Sequence, residues 1–158
     1  MNIYFANDLF NDGTRMYNEH VVRTIEDELL DKVSVYLPQR NLGINDKNAY
    51  ADSRMIAEAD YTELKKSDLL IAVLDNNDFG VGVEIGIAYE AGIPIIGLFT
   101  DVRQQGGNNP DKIKALTEIG ENQIAYVNLM GVGIIKNNGI IVNNLSSLIK
   151  EIERVGDI

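Results

Sequence analysis

Asp75 to Gly92, DNNDFGVGVEIGIAYEAG, gathers the groups of this chain whose types and spacing could do chemistry. Two Asp, two Asn and two Gly lead into Glu84. Carboxylates grouped in this way can serve as nucleophiles and as general acids or bases. Glu84 is the candidate reactive group. Asp78 precedes it by a loop and a helical turn, and Asp60 lies on the preceding helix. Each also has a structural reading. Asp75 and Asp78 suit turns and helix caps, and Glu84 in a first helical turn suits the helix dipole. For Asp75 the structural reading is the better one; for Glu84 both stand.

The elements around this stretch make the chemical reading physical. Leu69 to Leu74 is a short apolar run bounded by polar residues, the pattern of a buried parallel strand. It empties into the Gly-spaced loop. A helix over Val81 to Ala91 follows, closed by Gly92 and Pro94. Open α/β sheets build their sites at the carboxyl ends of such strands.

Composition removes several classes of function. The 158 residues carry a formal net charge of −10, which disfavours a nucleic-acid partner. There are no cysteines, so disulfides, Cys-zinc sites and thiol nucleophiles are excluded together. The single His20 lies mid-helix among polar neighbours, as a surface residue would. No metal site is called for. Apolar runs fall well short of a membrane span, and the N-terminus enters a strand directly, without the pattern of a signal peptide. A soluble cytoplasmic protein is expected.

The rest of the chain alternates strands and helices. Strands are predicted at Asn2 to Ala6, Val33 to Leu37, Leu69 to Leu74, Ile93 to Phe99 and Ile124 to Val127. The first helix opens at Asp12-Gly13-Thr14 and repeats Tyr17, Val21, Ile25 and Leu29 at every fourth residue. Gln39 to Asn48 is a polar loop able to form a lid or pocket wall. Ala51 to Lys66 reads as a helix with Met55, Ile56, Ala59 and Leu64 on its buried side. Asp101 to Asp111 is loop-like, and Lys112 to Ile119 a short helix. Asn128 to Lys136 is another short helix, Asn137-Asn138-Gly139 a turn. Asn143-Asn144 caps a final amphipathic helix through Leu145, Leu148, Ile149 and Ile152. This alternation predicts one domain, 1–158, of the doubly wound α/β class (flavodoxin-like or Rossmann-like). Its five-stranded parallel sheet would have the order 2-1-3-4-5.

Further candidates carry two readings each. Gly80 and Gly82 suggest a close backbone approach, but a dinucleotide fingerprint lacks its third glycine and acidic partner. Tyr4 is a core aromatic or a hydroxyl aimed at a carboxylate. Phe10 packs locally or stacks on a planar base. Asn128 is a helix cap or something more.

In four places the residues match one family in order. They are Ile3-Tyr4-Phe5-Ala6; Asp60-Tyr61 followed by Ser67-Asp68-Leu69-Leu70; Asp78-Phe79-Gly80-Val81-Gly82-Val83-Glu84-Ile85-Gly86; and Asn128-Leu129-Met130. On these the chain resembles the nucleoside 2-deoxyribosyltransferases over nearly its whole length. The loop Asn7-Asp8-Leu9 departs from the Gly-rich loop of many members. The resemblance implies Glu84 as nucleophile, Tyr4 orienting it, Asp60 protonating the nucleobase and Asp78 binding sugar hydroxyls. It implies that Asn128 is donated across an interface of a homo-oligomer (dimer, tetramer or hexamer). Phe10 and Gln39 fall where the family contacts the base, and Gly80 and Gly82 belong to the substrate loop. The implied partners are deoxynucleosides and free nucleobases, in nucleotide salvage, with no cofactor. The chemistry suits the residues. A carboxylate can trap the oxocarbenium-like C1′ of a deoxynucleoside as a glycosyl ester, and a second base then attacks with net retention. Two alternatives are a 2′-deoxynucleoside 5′-monophosphate N-glycosidase, with Ser53 and Arg54 as phosphate contacts, and a non-catalytic nucleotide-sensing module.

Overall fold

In a computed structural model the chain is described at residues 1–46, 48, 50–104, 107–117 and 127–158. The strands are β1 (Asn2–Ala6), β2 (Ser34–Tyr36), β3 (Leu69–Val73), β4 (Ile95–Leu98) and β5 (Gly139–Val142). The helices are α1 (Asp12–Leu29), α2 (Leu42–Asn45), α3 (Ser53–Lys65), α4 (Phe79–Glu90), α5 (Pro110–Ala115), α6 (Leu129–Asn138) and α7 (Leu145–Gly156). The five strands pair in parallel in the order β2-β1-β3-β4-β5, as the sequence predicts. Among the described residues, no helix is long and apolar enough to cross a membrane.

Side chains alternate across a strand, so each strand feeds two cores. Ile3, Phe5, Leu69, Ile71 and Val73 pack beneath α1 and α7. Tyr4, Ala6, Leu70 and Ala72 pack beneath α3, α4 and α6. Strand β3 is covered on both faces, which is why its sequence is apolar throughout rather than alternating. In α1 the fourth-residue repeat does what its spacing predicts: Val21, Ile25 and Leu29 are buried, with Tyr17 packed at the margin.

The fifth strand, the turn before it, the covered side of α3 and the bounds of α5 need correction. The fifth strand was expected at Ile124 to Val127. Residues 124–126 lie outside the described ones, and Val127 is buried but not in a strand. The fifth place belongs to Gly139–Val142, beginning on the glycine expected in a turn. That glycine serves close approach: a Cβ there would stand 1.7 Å from the Ile95 carbonyl oxygen. Beside it, the Asn138 amide donates to Ile93 O at 2.6 Å.

On α3 the expected buried side is mostly open. Leu64 is fully enclosed, but Met55 is 50% and Ile56 39% exposed. Helical periodicity identifies an apolar side without saying what covers it. The α5 helix occupies Pro110–Ala115, capped by Asn109, so it begins two residues before the expected Lys112; residues 118 and 119 of that expectation lie outside the described ones. The start of the polar loop after β2 is tied to α1, where Arg40 pairs with Glu19 and Glu26, each at 2.8 Å.

Candidate active site

Tyr4 and Tyr36 are register partners on β1 and β2. Their rings lie 5.2 Å apart at 35°. Tyr4 is fully buried and its hydroxyl donates to Glu84 Oε1 at 2.6 Å. Tyr36 donates to Asp60 Oδ1 at 3.3 Å and accepts from the Asn41 amide at 2.9 Å. Two neighbouring strands thus present two tyrosines to two carboxylates, one on α4 and one on α3.

Glu84 stands in the second turn of α4, not the first. The helix begins two residues earlier than its apolar pattern indicates, because Asp78 caps it by accepting from Val81 N at 3.0 Å. Tyr4, rather than the helix terminus, therefore fixes the Glu84 carboxylate. Gly80 lets that cap close: a Cβ there would stand 2.9 Å from Asp78 Oδ1, whereas one on Gly82 would meet nothing within 4 Å.

Burial governs the electrostatics. The Glu84 carboxyl is pushed up to about 7 by desolvation, reinforced by the Asp60 and Asp78 charges and opposed by the Tyr4 bond. Desolvation also raises Asp60, against hydrogen bonds from Tyr36 and Tyr4. Tyr4 is kept protonated far above the usual phenol range by burial and then by Glu84. Burial pushes Tyr36 up to about 12 despite the Asn41 bond. Both tyrosines are therefore donors at any ordinary pH.

A cleft of about 560 Å³ opens between α3 and α4, with Arg54, Asp60, Tyr61, Gly80, Val83 and Glu84 in its walls. That is the size of a small-molecule site. The Arg54 guanidinium in this wall makes no ion pair with any described residue. A wider groove of about 850 Å³ runs along α1 past Gln39 but holds none of Tyr4, Asp60, Asp78 or Glu84.

The structure therefore brings Tyr4, Asp60, Asp78, Gly80 and Glu84 together. Three candidates stand apart. Gln39 is buried at the base of α1, its amide donating to Arg15 O and Glu19 and accepting from Asn18 at 3.0–3.1 Å. Phe10 is 80% exposed on the loop after β1. Asn128 is exposed and caps α6, accepting from Met130 N at 3.0 Å. Sequence reasoning missed Tyr36 and Asn41. The signal for Tyr36 was its place near the end of β2, where parallel pairing sets it beside Tyr4.

The comparisons bear on family and fold. A family model described as nucleoside 2-deoxyribosyltransferase matches residues 3–144. A solved structure of a conserved protein from Enterococcus faecalis V583 is 50% identical, with a TM-score of 0.82 over 97% of each chain. A 2-deoxyribosyltransferase from Bacillus psychrosaccharolyticus is 18% identical, with a TM-score of 0.63 over 94% of this chain and 90% of that one. A CMP N-glycosidase from Clostridium botulinum is also 18% identical, with a TM-score of 0.51 over 98% of each. The last two show likeness of fold. No curated protein matches.

Proposed function

The chain belongs to the nucleoside 2-deoxyribosyltransferase family, and we propose that it moves a 2-deoxyribosyl group from one nucleobase to another through a covalent ester on Glu84. The observation that carries this reading is the 2.6 Å bond from Tyr4 to Glu84, in a cleft shared with Asp60.

In the first half-reaction a Glu84 oxygen bonds to C1′. The C1′–N bond breaks with its electron pair on the base, which takes a proton from Asp60. In the second, a nitrogen of the incoming base attacks C1′, Glu84 departs as carboxylate, and Asp60 recovers a proton from that base. Two inversions give retention. Neighbouring carboxyls disfavour double ionisation. One proton between Asp60 and Glu84 is therefore the natural resting state. The Tyr4 bond favours the ionised, nucleophilic form of Glu84 against its burial, and burial of Asp60 favours the proton that it must supply. Asp78, at the start of α4, would hold the sugar hydroxyls.

The active form is a homo-oligomer in which Asn128 reaches a neighbour's cleft. Supporting this, Phe79, Leu129 and Met130 are 86%, 52% and 73% exposed, an apolar surface around the Asn128 cap. Glycosyl transfer is tested with deoxyinosine and free adenine: deoxyadenosine is the expected product. Free 2-deoxyribose alone would overturn transfer in favour of hydrolysis.

A second reading is an N-glycosidase acting on a 2′-deoxynucleoside 5′-monophosphate. It is favoured by Arg54, a cation in the cleft wall without a described carboxylate partner. Its signature would be base and deoxyribose 5-phosphate from a nucleotide that is used faster than its nucleoside.

A further inference from the structure

We propose that Tyr36 and Asn41 form a positioning relay for Asp60, in which the Asn41 amide turns the Tyr36 hydroxyl proton onto the Asp60 carboxylate and so ties α2 to the acid of the reaction. The inference rests on Asp60 handling the nucleobase proton, as proposed above.

The direction of the relay follows from donors and acceptors. Asn41 caps α2, its side chain accepting from Gly43 N at 3.0 Å. The atom facing a backbone N–H must be the amide oxygen, so the NH2 end faces Tyr36, at 2.9 Å. An amide NH2 accepts nothing. The Tyr36 hydroxyl therefore cannot donate to Asn41, and its proton points to Asp60 Oδ1. At 3.3 Å this bond is long for an O–H donor, a spacing that catalytic contacts commonly tighten once substrate is bound.

Position supports the same role. The Tyr36 ring is held against Tyr4, so the hydroxyl has little freedom. Tyr4 and Tyr36 divide the work: the first serves the nucleophile, the second the acid. Asn41 also stands in a crevice with Arg54 and Glu58 of α3, beside the cleft. A shift of α2 would release the amide from Tyr36 and free the hydroxyl proton to leave Asp60.

Tyr4 from β1, Tyr36 from β2 and Glu84 from α4 act on Asp60 directly, Arg54 and Glu58 of α3 share its cleft, Glu63 of α3 acts on Tyr36, and Asp78 acts on Glu84. Of these, Tyr36 and Tyr4 favour the ionised Asp60, against burial. Removing the Tyr36 hydroxyl therefore raises the pH at which Asp60 gives up its proton. The limb on which rate falls with that loss moves to higher pH.

The test compares two donors: a 2′-deoxynucleoside, whose base must be protonated to leave, and 4-nitrophenyl 2-deoxyribofuranoside, whose leaving group departs as a stable anion. Tyr36→Phe should lower kcat on the nucleoside by about 10- to 100-fold and lower the nitrophenyl rate much less. The alkaline limb of the nucleoside profile should move up. Asn41→Ala should change the ratio of rates in the same direction by less, and it carries the test if Tyr36→Phe fails to fold. Asp60→Asn is the control. If Asp60→Asn shifts the ratio while Tyr36→Phe and Asn41→Ala leave both ratio and limb unmoved, the relay is overturned and the role of Asp60 survives. If Asp60→Asn itself leaves the ratio unmoved, the role of Asp60 fails and the relay with it.

Discussion

On the α1 side of the sheet Val21, Ile25, Leu148 and Ile152 are completely enclosed, whereas on the α4 side Phe79 and Met130 are 86% and 73% exposed. Asp60, Asp78 and Glu84 all belong to the second side. The α1 side uses burial to hold the sheet. The α4 side buries Asp60 and Glu84 enough to raise their carboxyls and leaves Phe79 and Met130 uncovered. Burial of hydrocarbon stabilises a fold by about 25 cal/mol per Å², while burial of a carboxyl costs stability and alters its acidity. The two sides therefore separate stability from chemistry, and substitutions should separate them too.

The largest expected effect lies on the α4 side. Glu84→Ala should cut base exchange by at least about 10³-fold while the circular dichroism stays that of the wild type. Substantial remaining turnover would remove Glu84 from the role of nucleophile. Next comes the α1 side, where Ile25→Ala should cost about 2–5 kcal/mol in urea unfolding and leave kcat unchanged below the transition. A loss of kcat in that folded variant would show that the two sides are coupled.

A third test asks whether the uncovered α4 surface is completed by a neighbour. Glu84→Ala and Asn128→Ala, each inactive alone, should regain activity when mixed after reversible dissociation. A mixed oligomer can join an intact Glu84 to an intact Asn128. Proven subunit exchange without recovery would return Asn128 to the role of a cap within its own chain.

The smallest effect is thermal. The Glu84 carboxyl is raised in the fold from 4.5 to about 7. The unfolded chain thus releases this proton more readily, and stability falls as pH rises across that window. The cost is complete above about 7 and absent below 4.5. Glu84→Gln should therefore melt higher than wild type at pH 8, with the gap closing toward pH 4.5. A gap independent of pH would mean that the glutamine acts by packing rather than by removing a charge.

The sheet order was legible because each apolar run is followed by a helical period, and parallel pairing leaves few arrangements. The end of the chain was less so. Val127 and Gly139–Val142 are both apolar beside Asn, and only the approach of Gly139 to Ile95 distinguishes the strand. Glu84 and Asp60 could be picked out as carboxylates able to converge at the carboxyl ends of the strands. Tyr36 could not, since a strand tyrosine is ordinarily core and its meaning depends on lying beside Tyr4. Gln39 shows the opposite limit: sequence does not say that a polar loop residue is wholly engaged by its neighbours, here Asn18, Arg15 and Glu19.

The parallel pairing of β1 with β3 also bears on how the protein is made. Ile3 meets Leu69, and the Asn2 amide meets Asp68 across 66 residues. Pairings so distant in sequence must close a long loop before any burial rewards them, which slows folding. A growing chain can pair Ile3 and Tyr4 with β2 first, but it carries the other edge of β1 unpaired until β3 has emerged, an edge open to aggregation. The contact between Tyr4 and Glu84 spans 80 residues and cannot exist before that crossover closes. In a refolding experiment, enzyme activity would return only after the central crossover had closed, later than the local formation of helices.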